Sequence, residues 1–196
     1  ARTPNAVTQA VLQVNTQIVD RFAARIIEHY AKMPATQAGW EQITHRKFAV
    51  WGLSFKPETD DVREAPALRL IERLIQVGAR VVAYDPMANQ VALPGLELAP
   101  NKYAACEGAD ALIVATEWSE FRQADMEQVG RSLKHRVVFD GRNIYDPRLM
   151  AELGFTYYSV GRVTGRVVQP EARSAEGPPP QRAGLRGRVR GRGEGA

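Results

Sequence analysis

The chain has 196 residues, is 44% hydrophobic and carries a formal net charge of +4. Its length and apolar fraction suit one folded domain with extensions. No apolar run approaches the roughly 18 residues of a membrane-spanning helix, no signal peptide is visible, and one cysteine excludes an internal disulfide, as suits a reducing cytoplasm. The charge is local: from Val163 on, seven arginines face three glutamates, so residues 1–162 are formally neutral. Only the tail therefore offers a basic surface for nucleic acid. The chain starts at Ala1 rather than Met, so a fragment or processed product is expected.

Residues 5–33 read as a long helix. Val7, Val11, Val14, Ile18, Phe22, Ile26 and Tyr30 recur at spacings of three and four, and Pro4 and Pro34 flank the run. A helix placed before a complete βα domain usually packs against something outside that domain; the alternative is an ordinary packing helix. Residues 35–46 are a polar connector. Residues 47–53 form a continuous apolar run, as expected for a strand buried on both faces of a parallel sheet. A helix over 66–77 opens on Pro66 and closes at Gly78. Further strands are expected at 79–84, 96–98, 111–115, 137–139 and 155–160. Helical segments are expected at 103–107, 121–133 and 147–153. Strands alternating with helices imply an α/β fold: a Rossmann-like, doubly wound, mostly parallel sheet. It is preceded by the long helix and followed, from 163, by a Gly/Pro/Arg tail too poor in apolar residues to fold. An arginine-glycine tail can also bind nucleic acid or another anionic surface, although no aromatics interleave these arginines. The expected division is 1–34 linking helix, 35–162 folded domain and 163–196 disordered tail.

The chemistry is concentrated after the first strand, in Phe55-Lys56-Pro57-Glu58-Thr59-Asp60-Asp61-Val62-Arg63-Glu64-Ala65-Pro66. In open α/β sheets ligands bind at the strands' carboxyl edge. Lys56 offers a phosphate a point charge, and Arg63 offers a two-pronged grip; alternatively the loop's charges pair with one another. A dinucleotide fingerprint would need Gly-x-Gly-x-x-Gly here, but Gly52 is followed by Leu53, Ser54, Phe55 and Lys56. Asp85 ends the second strand, further from Gly52 than the ~20 residues usual for a ribose-binding acid, and a turn-forming Asp-Pro is the expected role. Cys106 sits in an apolar stretch with no neighbouring histidine, so a buried structural thiol is expected rather than a nucleophile. His29, His45 and His135 are too scattered to suggest a metal site.

Four segments carry a family resemblance. Gly52-Leu53-Ser54-Phe55-Lys56-Pro57 with Thr59 to Pro66 is followed in order by Ala83-Tyr84-Asp85-Pro86, Ala115-Thr116-Glu117-Trp118 and Phe139-Asp140-Gly141-Arg142-Asn143-Ile144-Tyr145-Asp146-Pro147. They resemble the C-terminal domain of the UDP-glucose/GDP-mannose dehydrogenase family, most closely its UDP-glucose 6-dehydrogenase branch. The resemblance covers about residues 1–162. It implies that Phe55, Lys56 and Arg142 contact the UDP-sugar and that Arg63 reaches NAD held by another domain. It also implies a homodimer formed near the N-terminal helix. The family's reaction is two successive oxidations of UDP-glucose to UDP-glucuronate with two NAD. Its cysteine segment and glycine-fingerprint domain are absent from this sequence, so the chain alone is expected to be inactive. The alternatives are a non-catalytic UDP-sugar-binding or dimerisation module, or part of a GDP-mannose or UDP-N-acetylmannosamine dehydrogenase. For Arg142, a salt bridge to Asp140 or Asp146 is the structural alternative.

Overall fold

A computed structural model describes residues 6–31 and 43–161. The segment before Ala6, much of the 35–46 connector and the tail from 163 lie outside the described residues. The elements run α1 (Ala6–Ala31), β1 (Lys47–Trp51), α2 (Pro66–Gln76), β2 (Arg80–Tyr84), β3 (Leu96–Leu98), α3 (Lys102–Cys106), β4 (Ala111–Val114), α4 (Ser119–Arg122), α5 (Met126–Ser132), β5 (Val137–Asp140), α6 (Pro147–Glu152) and β6 (Thr156–Ser159). The strands form one six-stranded sheet in the order β3-β2-β1-β4-β5-β6, and every pairing is parallel. The order reverses at β1 and β4, the topological switch point of a doubly wound sheet.

Strand alternation explains the continuous apolar runs. Phe48 and Val50 enter a cluster with Ile71 and Leu74 of α2 and Ile26 and Tyr30 of α1. Ala49 and Trp51 point the other way, to Cys106, Phe121 and Val129. Each large side chain taken out of water this way contributes about 1.5–3 kcal/mol.

Two expectations change. The stretch expected as one helix over 121–133 is two short helices, α4 and α5. Asp125 breaks the run because its carboxylate accepts from Gln128 N at 3.0 Å, capping a new helix. The described side chains of α1 pack on this domain's own sheet rather than outside it: Val19, Ala23, Ile26 and Tyr30 are buried there. Arg25 donates to Ser159 O at 3.1 Å, and His29 Nδ1 shares a 2.8 Å hydrogen bond with Tyr158 OH. The buried stripe is turned from the expected one, so that Ile18 remains 46% exposed. Among the described residues, no helix is long and apolar enough to cross a membrane.

Candidate functional site

All carboxyl ends of a parallel sheet lie on one edge, and three exits meet there. Gly52, after β1, has φ +93, a backbone that suits glycine. A Cβ at Gly52 would lie 2.4 Å from Thr116 Cβ, so the exits of β1 and β4 are nearly in contact. Hydrogen bonds bind them: Ala115 N donates to Trp51 O at 2.8 Å, and Thr116 Oγ1 donates to Ser54 O at 2.8 Å. Beyond β5, Gly141 N donates to Val114 O at 2.9 Å, which ties the third exit to the second.

Asp85 locks the first exit. Its Oδ2 accepts from Leu53 N at 2.8 Å, Ser54 N at 3.1 Å, Ser54 Oγ at 3.0 Å and Trp118 Nε1 at 3.3 Å. Its Oδ1 accepts from Met87 N at 2.9 Å and Ala88 N at 2.8 Å, the expected turn-forming role. The reach back to residues 53 and 54 and forward to 118 has no local sequence signal. Burial by itself would raise the Asp85 pKa, but the amides of Ala88, Leu53, Met87 and Ser54 outweigh it and hold the carboxyl below its ordinary 3.8. The stability it contributes is therefore complete above that ordinary value and is lost as pH falls through the lowered folded value. In urea titrations between neutral and strongly acid pH, Asp85→Asn should lose part of the wild type's acid-side slope. An unchanged slope would contradict the assignment.

After this lock the chain opens into the polar loop. Phe55 is 56% exposed, and Lys56 is also exposed. Phe55 N donates to Asp61 O at 2.9 Å, closing the loop's base. Arg63 is exposed and pairs with its neighbour: its Nε and Nη2 donate to Asp61 Oδ1 and Oδ2 at 2.9 and 2.8 Å. These bonds from Arg63 bring the Asp61 pKa down to about 2. Charge pairing within the loop is thus real for Arg63.

The guanidinium of Arg142, after β5, pairs with neither Asp140 nor Asp146. Its Nη2 donates to Glu117 Oε1 at 2.7 Å and its Nε donates to Glu117 Oε2, a two-pronged pair. Nη1 and the second N–H of Nη2 stay outside that pair, and the side chain is 37% exposed. The hydrogen bonds from Arg142 hold the Glu117 carboxyl below its usual range. Asp140 is fully buried. It instead accepts from Arg142 N at 2.8 Å, Ile144 N at 2.7 Å and Tyr157 OH at 2.6 Å, fixing the turn that carries the guanidinium. Asp146 caps α6 by accepting from Arg148 N at 2.7 Å. The edge therefore presents Phe55 and Lys56 from one exit and Arg142 from another, joined through Thr116 and Glu117 of the exit between them. Arg63 lies further along the loop.

A cleft of about 310 Å³ lies beside the ends of β2 and β3, walled by Tyr84, Pro86, Asn89, Leu98 and Pro100. Asp85 lines it too, with both oxygens engaged as described. Cys106 is fully buried, and burial pushes its thiol up to about 12. The wild-type Cys106 thiol should label slowly in the folded chain, and fast labelling of the folded chain would overturn the structural role.

The model of the UDP-glucose/GDP-mannose dehydrogenase family, UDP binding domain, matches residues 49–147. The chain is 50% identical over 126 residues to a UDP-glucose 6-dehydrogenase of Pseudomonas aeruginosa, covering 60% of the chain and 28% of that protein. It is 41% identical over 138 residues to one of Bacillus subtilis, covering 68% of the chain and 30% of that protein. It thus spans less than a third of these relatives. Among solved structures, a UDP-glucose dehydrogenase of Pyrobaculum islandicum superposes with a TM-score of 0.57 at 30% identity, covering 73% of this chain and 30% of that one. A UDP-D-ManNAc dehydrogenase of Pyrococcus horikoshii superposes with a TM-score of 0.65 at 26% identity, covering 83% and 35%.

Proposed function

The chain belongs to the UDP-glucose/GDP-mannose dehydrogenase family through its UDP-binding domain, and on that premise we propose that its sheet edge binds the UDP of UDP-glucose, as the substrate-binding part of a UDP-glucose 6-dehydrogenase. The observation that carries this reading is Arg142, steered by Glu117 at the carboxyl edge that also exposes Phe55 and Lys56. A diphosphate suits that set: the guanidinium donates in a plane, the ammonium supplies a point charge, and an exposed ring offers a face to a base or sugar.

The relatives' names support UDP-glucose as the sugar nucleotide. Oxidation of the sugar is the proposed activity of the whole enzyme, with NAD as the hydride acceptor. The first βα turn of this chain does not fit NAD: it lacks the second and third glycines, and its amides at Leu53 and Ser54 are engaged by Asp85. The part left to this chain toward NAD is Arg63, proposed to reach a cofactor held elsewhere after leaving Asp61. We also propose that α1 meets a second copy, because Ile18 stays exposed beside the buried stripe.

Calorimetry with UDP and UDP-glucose tests the binding, and absorbance at the NADH band with millimolar UDP-glucose and NAD tests the division of labour. The expected outcome is saturable UDP binding and no NADH, because hydride transfer needs the two reactants held about 3–3.5 Å apart. NADH formed in proportion to chain concentration, and lost in Cys106→Ser, would overturn the reading.

A further inference from the structure

In a dinucleotide-binding sheet, the N–H groups of the first βα turn point at a pyrophosphate, and an acid ending the second strand holds a ribose. Here these two parts meet each other. Leu53 N and Ser54 N, the turn's amides, point at Oδ2 of Asp85, the residue that follows the second strand. Ser54 Oγ and Trp118 Nε1 donate to the same oxygen, while Met87 N and Ala88 N take the other. A carboxylate has about four lone-pair sites, so these donors leave none for a ribose hydroxyl. Asp85 is 4% exposed, and among the described residues no lysine or arginine is paired with it. Its charge is met by oriented N–H and O–H dipoles, as a bound phosphate's would be.

We propose that Asp85 is a resident anion of the first βα turn: its carboxylate stands where a pyrophosphate would, closes the turn to dinucleotides, and sets the exit of β1 so that Phe55 and Lys56 meet a nucleoside diphosphate through their side chains. The last step rests on the UDP-binding reading; the occupation of the turn does not. Asp85 is a positioning residue that touches no ligand itself. Asparagine in its place keeps the size but turns an NH2 toward amides that need an acceptor.

The test uses the whole chain, labelled with nitrogen-15, and two readouts. In Asp85→Ala, the Leu53 and Ser54 amide resonances should move upfield and UDP affinity should fall roughly tenfold or more. Formate should restore both in a saturable way, and formamide, its neutral counterpart, should restore neither. Equal rescue by formamide, or wild-type UDP affinity in a folded Asp85→Asn, overturns the proposal. Where Asp85→Ala does not fold, the wild type carries the test: the amides of Leu53, Ser54, Met87 and Ala88 should shift together in one acid titration, and independent shifts overturn it. Amides restored by formate in a chain that binds no UDP would sink the UDP reading and leave the resident anion standing.

Discussion

Gly52→Ala should destabilise the chain by about 3 kcal/mol, from the cost of a left-handed backbone and from overpacking. At this size that lowers the melting temperature by about 6–12 °C. The new methyl group would meet Thr116 Cβ at 2.4 Å, Thr116 Oγ1 at 2.6 Å and Thr116 N at 2.7 Å. None of these is the free end of a flexible side chain. Thr116 Oγ1 is committed to Ser54 O, and Thr116 N is backbone beside β4. Relief would have to separate the exits of β1 and β4, which also carry Lys56 and Glu117. Gly108→Ala is the control: Gly108 also has positive φ, +62, but nothing lies within 4 Å of its added Cβ. Thermal unfolding of the two variants separates backbone strain from the clash. Equal, small losses in both would show that the exits are not in contact.

Arg142→Ala should weaken UDP binding by roughly 10- to 150-fold, equivalent to the 1.5–3 kcal/mol of a charge-assisted hydrogen bond. The guanidinium serves two partners at once, Glu117 through Nε and Nη2 and, in the proposed complex, a phosphate through its other N–H groups. Lysine cannot keep that planar division, so Arg142→Lys should also lose most of the affinity. Lys56→Ala should fall in the same direction. Circular dichroism should match the wild type in all three, since both side chains are largely outside the core. Full affinity in both alanine variants would remove the edge from consideration.

Much of this architecture is legible in the sequence because it is written locally. The apolar run of β1 and the Pro66 start and Gly78 close of α2 lie within a few residues of the structure they specify. Asp125 was an equally local signal for a second helix, standing just ahead of Met126 and Glu127, yet the apolar spacing around it reads as one helix. The site divides in the same manner. Lys56 and Arg142 fall at the edge because strand ends locate them. Glu117, the partner of Arg142, comes from another strand's exit, 25 residues away. The bonds from Asp85 to Leu53 and Ser54 span 32 and 31 residues. A sequence shows that these acids exist; which distant amide or guanidinium they meet depends on strand order.

The most direct test of the central claim is a nitrogen-15 amide map of the chain titrated with UDP. Shifts should concentrate at residues 52–56, 115–118 and 140–143, the three exits joined by Thr116 and Glu117, and should saturate together. Shifts gathered instead around Tyr84, Asn89 and Leu98, in the cleft beside β2 and β3, or no shifts at all at millimolar UDP, would contradict the account.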